Sequence, residues 1–518
     1  MKNKVNAIRI ISTIIIFLIV SILSESVLAI FEPSKAIWNH IKENLLIDYT
    51  INTVLLVFFS MMFSGLIGTV MAYIVTCFDF FGRKVLSILL YFPLAIPPYI
   101  GGYVYMNMMQ VNGIIANLLG RSVYLNSLSM AILVFTLFLF PYVYIGVKGY
   151  LSYNIGGYVE NARLLGKGEL SIFAKVIVPI SKSAIFSSML LVGLEVLGDF
   201  GVVQYFGVPT FATAIFKSWI SFKDFDSAIR LSGNMVIVVF ILLVFKNVLI
   251  NKKNQSATTT KSRQIHRRKL SVPDQAGLLI MGLTVTTLSF GLPIYQLFRW
   301  AAESITRVRY VEIFSMLKNT ISMTMLVSVI ILIISFILAS YTRVSSKFTK
   351  VIYGKSTLLS YAIPGSVVAM MIILFFRNLD SSLNISLSTT IIMLIIAYVL
   401  RYLGVAYENL ENGFNKVGIK FHEASRLLGN NYYESLFKVD LPILKPFIIS
   451  SFSMVLIDLI KELPLTLILR PFNFHTLATQ AYQYASDEML AESAVPSLII
   501  ISICMFFVVG LAKKERRI

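Results

Sequence analysis

Two pairs of carboxylates stand where carboxylates are costly. Glu195 and Asp199 are four residues apart, as are Asp458 and Glu462. Each pair falls toward the end of an apolar run of about 20 residues, the length that crosses a bilayer as a helix. At that spacing both members of a pair share one helix face. A charge near the bilayer centre costs about 2.5–3.5 kcal/mol on insertion scales, so these acids are expected to face a polar cavity, one another, or a local partner such as Lys461. Four carboxylates on two related helices would make a hard-oxygen, negatively charged path suited to a small, highly charged cation. Local pairing or packing at a gate is the plainer alternative.

A second constellation is polar and occurs twice. Glu160-Asn161-Ala162-Arg163-Leu164-Leu165-Gly166 is followed, nine residues on, by Val176-Ile177-Val178-Pro179. Glu423-Ala424-Ser425-Arg426-Leu427-Leu428-Gly429 is followed at the same distance by Val439-Asp440-Leu441-Pro442. The offset between copies is 263 residues, from 160 to 423 and from 166 to 429. Each glutamate is placed near the start of a short helix, where the dipole favours a carboxylate. Arg163 and Arg426 follow one turn later, and Gly166 and Gly429 end the helix in the left-handed conformation that glycine adopts cheaply. Lys167-Gly168 and Asn430-Asn431 supply the turn. A second segment leads to a proline in the first turn of the next apolar helix. The spacing predicts two helix–turn–helix elbows at a membrane surface, each joined to a span.

The elements that must position these residues are apolar. The chain has 518 residues, 57% of them hydrophobic and 14% charged, with mean hydropathy +0.79 and net charge +19. Such an excess needs lipid to face, and the charge points to basic loops on one membrane side rather than to nucleic acid. Twelve spans are expected, at roughly 8–29, 51–77, 86–108, 129–149, 181–203, 229–250, 274–297, 319–342, 356–376, 389–409, 444–464 and 493–512. The first is read as a retained span rather than a cleaved leader. Most of the 45 Lys and Arg fall on the N-terminal side of the membrane, which places both termini and both elbows in the cytoplasm. Trp38, Trp219 and Trp300 fall on the other side, as an aromatic belt would.

The duplication is wider than the elbows. Asn52-Thr53 matches Asn319-Thr320, and Ala95-Ile96-Pro97 matches Ala362-Ile363-Pro364, both offset by 267 (52 to 319, 97 to 364). Thr210 to Thr213 resembles Thr476 to Thr479. The expected fold is all-α and integral to the membrane: two parallel six-helix units, residues 1–250 and 274–518, joined by a flexible basic linker at 251–273. Pro97 and Pro364 interrupt the third and ninth spans, as a gate or a simple kink.

The elbow resembles the coupling motif of binding-protein-dependent ABC importer permeases, whose pattern is Glu-Ala-Ala, three residues, Gly, nine residues, Ile-x-Leu-Pro. The second copy departs at Ser425 and Val439, the first at Asn161, Val176 and Val178; the Glu, Gly and Pro skeleton is intact in both. The resemblance covers nearly the whole chain as a fused double permease of the type I fold. It implies that Glu160, Ala162, Arg163 and Gly166, with Glu423, Ala424, Arg426 and Gly429, contact an ABC ATPase homodimer. It also implies an extracytoplasmic solute-binding protein as partner and a multi-pass place in the bacterial inner membrane. Glu195 to Asp199 in one half and Lys461-Glu462-Leu463-Pro464 in the other look most like the ferric-iron transport permeases. Glu195, Asp199, Asp458 and Glu462 would then line the translocation pathway. A thiamine or other small-solute importer is the nearest alternative, and a gradient-driven secondary transporter a more distant one.

Other chemistries find little support. A phosphate-binding loop needs Gly, four residues, then Gly-Lys-Ser/Thr. Gly354-Lys355-Ser356 carries Thr349 at the first position. The chain is thus expected to be no enzyme and to bind no cofactor, with ATP and Mg held by the separate ATPase. Cys77 and Cys504 lie in apolar runs, against a disulfide framework or a thiolate site. His40, His266, His422 and His475 have no ligand spacing, so no fixed metal site is assigned. Tyr99, Tyr103 and Tyr105 read as interfacial tyrosines rather than iron ligands.

Overall fold

The computed structural model describes residues 2–28, 36–110, 113–120, 126–250, 266–384, 387 and 390–515. Within them the chain is helical almost throughout. One extended pairing is present among the described residues, a parallel ladder two residues long that sets Phe78–Asp79 beside Arg268–Lys269. Among the described residues ten helices, against the twelve spans expected, are long and apolar enough to cross a membrane, or eleven when the bent pair Arg83–Ala95 and Pro98–Asn117 is taken as one broken span. The first expected span is a helix, Lys2–Leu28, whose apolar stretch among the described residues is the shorter Arg9–Ile22.

Two compact units emerge, each drawing chiefly on one sequence half. One comprises Ile41–Ala214, Ile237–Val308 and Ala481–Ile518. Its centre is the helix Leu46–Cys77 against Ser127–Asn154 and Val178–Gly198. The other comprises Met1–His40, Ile215–Val236 and Arg309–Gln480. There Tyr310–Val344 packs on Ile391–Val417 and Leu441–Lys461, and the chain's first helix joins the cluster, Thr13 bonding Tyr353 at 2.8 Å.

Lipid tails are as apolar as leucine, so helices in a bilayer associate through close packing and through small residues that let backbones approach. Gly68 meets this need in the first unit: a Cβ there would lie 2.8 Å from the Phe140 carbonyl oxygen. In the second unit the same crossing carries Ser335, buried, whose hydroxyl donates to the Leu403 carbonyl at 3.4 Å. Gly68 and Ser335 are 267 residues apart, Phe140 and Leu403 are 263 apart. The repeat therefore loses four residues between its third and fourth spans.

Further along the offset moves to 266, from Thr210 to Thr476, and the contacts recur. Thr53 Oγ1 accepts the Phe211 N–H at 3.2 Å, and Thr320 Oγ1 accepts the Leu477 N–H at 2.9 Å. The Thr210 N–H bonds Thr213 Oγ1 at 2.9 Å, and the Thr476 N–H bonds Thr479 Oγ1 at 3.0 Å. Paired threonines thus tie the start of each unit's first core helix to the segment beyond its last.

Candidate functional site

The first elbow is the helix Gly156–Leu164, a turn, and a second helix from Glu169 that runs on through Phe173–Ile177 into Val178–Gly198. The second is Lys420–Leu427, a turn, and Tyr432–Ser435 running through Leu436–Asp440 into Leu441–Lys461. Glu423 lies in the first turn of its helix, as expected, but Glu160 is the fifth residue of its own. Pro179 and Pro442 do not open a new helix; they sit inside a continuous one. Each follows a five-residue π turn, a widened ladder that absorbs the hydrogen bond proline removes.

Both turns close in the same way. Gly166 has φ +72° and Gly429 φ +92°. The Gly166 N–H bonds the Arg163 carbonyl at 3.0 Å and the Lys167 N–H bonds that of Ala162 at 3.1 Å. The Gly429 N–H bonds the Arg426 carbonyl at 3.1 Å and the Asn430 N–H bonds that of Ser425 at 3.3 Å. This 5→2 and 6→1 pair is the Schellman closure, which requires a left-handed residue at this position. A Cβ on either glycine would touch nothing within 4 Å, so backbone angle and not space dictates the glycine.

Carboxylates anchor each elbow to the end of a core helix. In the first, Glu169 Oε2 accepts from the Tyr73 hydroxyl at 2.6 Å. Its Oε1 accepts from Arg163 Nε at 3.1 Å and from Arg268 Nη1 at 2.9 Å. In the second, Asp440, 1% exposed, accepts from Arg343 Nη1 at 3.0 Å and bonds His422 Nδ1 at 2.6 Å. Arg343 also reaches the Gly418 carbonyl, and His422 lies edge-on to Tyr432 with ring centroids 5.0 Å apart. His422 thus shapes the elbow. Asn431 and Glu434 close a reciprocal capping box on the short helix.

Of the residues the sequence singled out, several face inward. Arg163 is a strut to Glu169 and to the Cys77 carbonyl. Ala162 is buried and Ala424 exposed, because Ala162 matches Ser425, whose hydroxyl bonds Ser435 Oγ at 3.0 Å. The residues presented outward are leucines that the motif does not require. Leu164 and Leu165 are 85% and 77% exposed, Leu427 and Leu428 89% and 85%. A leucine pair ending a polar helix, just before glycine, was the available signal in the sequence.

The acids fall at the far ends of the same spans. Asp199 ends Val178–Gly198 in extended backbone, and its Oδ1 accepts the Val202 N–H at 2.7 Å, opening Gly201–Tyr205. Glu462 ends Leu441–Lys461 likewise, and its Oε1 accepts the Leu465 N–H at 2.9 Å, within the short helix Pro464–Leu469. Glu462 is 5% exposed and also faces Arg401 Nε at 3.8 Å and the Tyr402 hydroxyl. Glu195 and Asp458, one turn earlier, are half-buried. Each pair occupies the end of its own helix, and the two pairs fall in different compact units.

Pro97 and Pro364 hold matched positions. Each, with ψ 136° and 148°, stands directly before a helix, Pro98–Met109 and Gly365–Leu383. The break at Pro97 turns the chain by 94°. Tyr103 is buried and bonds Ser497; Tyr105 reaches the Leu288 carbonyl. Among the described residues no three His, Cys, Asp or Glu side chains group closely enough to hold a metal ion.

Comparison with known proteins agrees with this duplicated build. The family model of the binding-protein-dependent transport system inner membrane component matches twice, at residues 64–253 and 331–517. The chain is 25% identical over 443 residues to the Fe(3+)-transport system permease protein FbpB 2 of Haemophilus influenzae, covering 84% of this chain and 83% of that protein. It is 28% identical over 201 residues to the sulfate transport system permease protein CysT of Salmonella typhimurium, covering 37% of this chain and 72% of that one. It is also 28% identical over 179 residues to the probable transport system permease protein NifC of Clostridium pasteurianum, covering 32% and 61%. Two matches to one family model, with two elbows closed by the same glycine turn, lead to one conclusion: the chain belongs to the binding-protein-dependent inner-membrane permeases of ABC transport systems and carries the permease unit twice.

Proposed function

We propose that this permease is the membrane path of an ATP-driven importer for ferric iron, with each elbow docking one subunit of an ABC ATPase homodimer. The observation that carries the docking reading is the outward leucine pair on each elbow, held at the same place by the same glycine turn. At the end of a short polar helix with few buried residues, two leucines more than three-quarters exposed bury little within the chain, whereas an apolar anchor entering a partner's groove needs that exposure. On this reading ATP and Mg stay on the partner, and both elbows and both termini face the cytoplasm, in keeping with the Lys and Arg distribution. A solute-binding protein delivers cargo to the opposite face.

Ferric iron as cargo is supported by the relative with near full-length coverage and by acids ending both matched spans. Asp199 and Glu195 supply carboxylates in one unit; in the other, Arg401 offsets Glu462. Hard oxygens suit a trivalent cation, which would move as substrate rather than occupy a fixed site. An anion such as sulfate is the second reading, favoured by the sulfate-permease relatives, whose match covers a smaller share of the chain. ATP-driven uptake in proteoliposomes holding permease, ATPase and binding protein separates them: iron accumulation and no sulfate accumulation supports the first, the reverse removes it.

A further inference from the structure

The segment joining the two permease units was expected to be a flexible tether. Residues 251–265 lie outside the described residues, but from 266 onward the chain lies along the first elbow. Arg268 and Lys269 form the parallel ladder with Phe78 and Asp79, at the end of the Leu46–Cys77 helix. The His266 N–H bonds Glu160 Oε1 at 3.3 Å, and the His266 carbonyl accepts from Arg163 Nη1 at 3.3 Å. Arg268 pairs with Glu169, and beyond it the Phe81 N–H bonds Gln275 Oε1 at 3.1 Å while Gln275 Nε2 bonds the Leu270 carbonyl at 2.9 Å. Both helices of the elbow and the end of the core helix are thereby tied to three linker residues, His266, Arg268 and Lys269. All these contacts lie within one compact unit.

The second elbow is held otherwise. Ser345 and Ser346 match Phe78 and Asp79, and among the described residues no strand pairs with them. Its anchor is the buried Asp440 with Arg343 and His422. The linker occurs once in the chain, so it can serve one elbow only.

We infer that residues 266–269 are a fixed strap on the first elbow, and that strap and elbow form one composite docking surface with a basic edge. His266, Arg267 and Lys269 are exposed along it, on the elbow that also carries the outward Leu164 and Leu165. The partner this surface fits is the ATPase subunit seated on the first elbow, because the strap is continuous with that elbow and its exposed cations call for acidic groups opposite them. The inference rests on the docking reading above and adds that the two elbows are unequal: a homodimeric ATPase offers the same rim to both, and only one elbow answers it with the strap. Arg268 is the positioning residue, since it faces Glu169 inside the elbow, while Arg267 and Lys269 make the contact.

The test uses the full chain in nanodiscs and its ATPase as a tagged, co-expressed subunit. Arg267→Gln with Lys269→Gln leaves the ladder backbone and the Arg268–Glu169 pair in place. ATPase binding by this variant is expected to weaken about fivefold at low salt and to converge on wild type at high salt, as rim charges do. Arg268→Ala is expected to raise amide exchange across residues 156–172 about threefold, as loss of a half-exposed ion pair would, and to leave 420–435 unchanged. Arg268→Lys should restore most of that protection. Binding unchanged in the double variant, or weakened only in discs containing anionic lipid, overturns the inference; the latter result would assign the strip to headgroups. If leucine-pair variants release the ATPase and strap variants do not, the strap falls and the docking reading stands. If neither releases it, both fall.

Discussion

Tyr73 and Tyr432 form the same strut from opposite ends. Tyr73, on the first core helix of one unit, donates to Glu169 on the elbow at 2.6 Å. Tyr432 stands 263 residues after Glu169, on the second elbow, and donates to the carbonyl of Ser340, which stands 267 after Tyr73, at 3.3 Å. The duplication has kept the bond between elbow and core helix while exchanging which side supplies the phenol. What is maintained is the attachment of the elbow, not a residue type.

The buried carboxylate of the second elbow is expected to be costly to remove. Asp440→Ala leaves Arg343, 9% exposed, without its carboxylate. Breaking a buried pair from one side costs about 3–5 kcal/mol. Arg343→Met with Asp440→Leu removes both charges and should lose much less. Thermal unfolding of the two variants in detergent checks this; equal losses would mean that the pair adds nothing beyond packing.

Gly166→Ala and Gly429→Ala test backbone angle alone, because their Cβ atoms meet nothing. The left-handed conformation costs a non-glycine residue roughly 1–2 kcal/mol. Each substitution should therefore raise amide exchange in its own elbow several-fold, leave the spans protected, and weaken ATPase capture. Protection unchanged in both elbows would remove the Schellman closure as the reason for glycine.

Much of this was legible beforehand. The apolar runs and the repeat offsets locate the spans, because lipid leaves a backbone few options besides the helix. The two glycines marked the turns correctly, since only a left-handed cap explains glycine at both places. Other features depend on partners distant in sequence. Nothing local shows that Arg163 turns inward to Glu169, that Asp440 pairs with Arg343 ninety-seven residues away, or that His266 lies on Glu160. The ladder at Arg268–Lys269 is illegible in the sequence because two residues have no periodicity to read. The outward leucines were hidden by their type, for leucine in a membrane protein is by default assigned to lipid or core.

Asp199 and Glu462 share a backbone role and differ in surroundings, so their amides should behave differently. Asn accepts a backbone N–H as well as Asp does. Asp199→Asn is thus expected to keep the Val202 bond and wild-type stability while iron uptake falls. Glu462→Gln keeps the Leu465 bond but withdraws the charge facing Arg401, at a cost of about 1–3 kcal/mol. Uptake and melting temperature measured together decide. Wild-type uptake by a stable Asp199→Asn permease would remove the cation path.

His475 should make the permease sensitive to mild acid. Burial first, and the Arg470 guanidinium beside it second, lower its pKa from the ordinary histidine value of about 6.5. The Arg470 Nη1 to His475 Nδ1 distance of 2.7 Å fits a neutral ring accepting a hydrogen bond. As pH falls through the unfolded value, the unfolded chain takes up a proton that the folded ring refuses, so stability is lost in that direction. The melting temperature should therefore drop between pH 7.5 and 5.5 more for wild type than for His475→Gln. Equal drops would place the acid sensitivity elsewhere.

The leucine pairs give the sharpest separation of docking from folding. Leu164, Leu165, Leu427 and Leu428 are all more than three-quarters exposed, so replacing them with serine removes almost no buried surface from the permease itself. Surface changes of this kind usually alter stability by no more than about 0.5 kcal/mol. An anchor seated in a partner's groove behaves differently, with truncation costing about 2 kcal/mol or more of binding. Leu164→Ser with Leu165→Ser, and Leu427→Ser with Leu428→Ser, are therefore expected to leave the melting temperature unchanged and to reduce ATPase capture at least tenfold each. Transport should fail with either pair replaced, since one immobile lever suffices to stall a two-lever machine. Capture that survives in both variants, with stability intact, would mean that the leucines face something other than the ATPase.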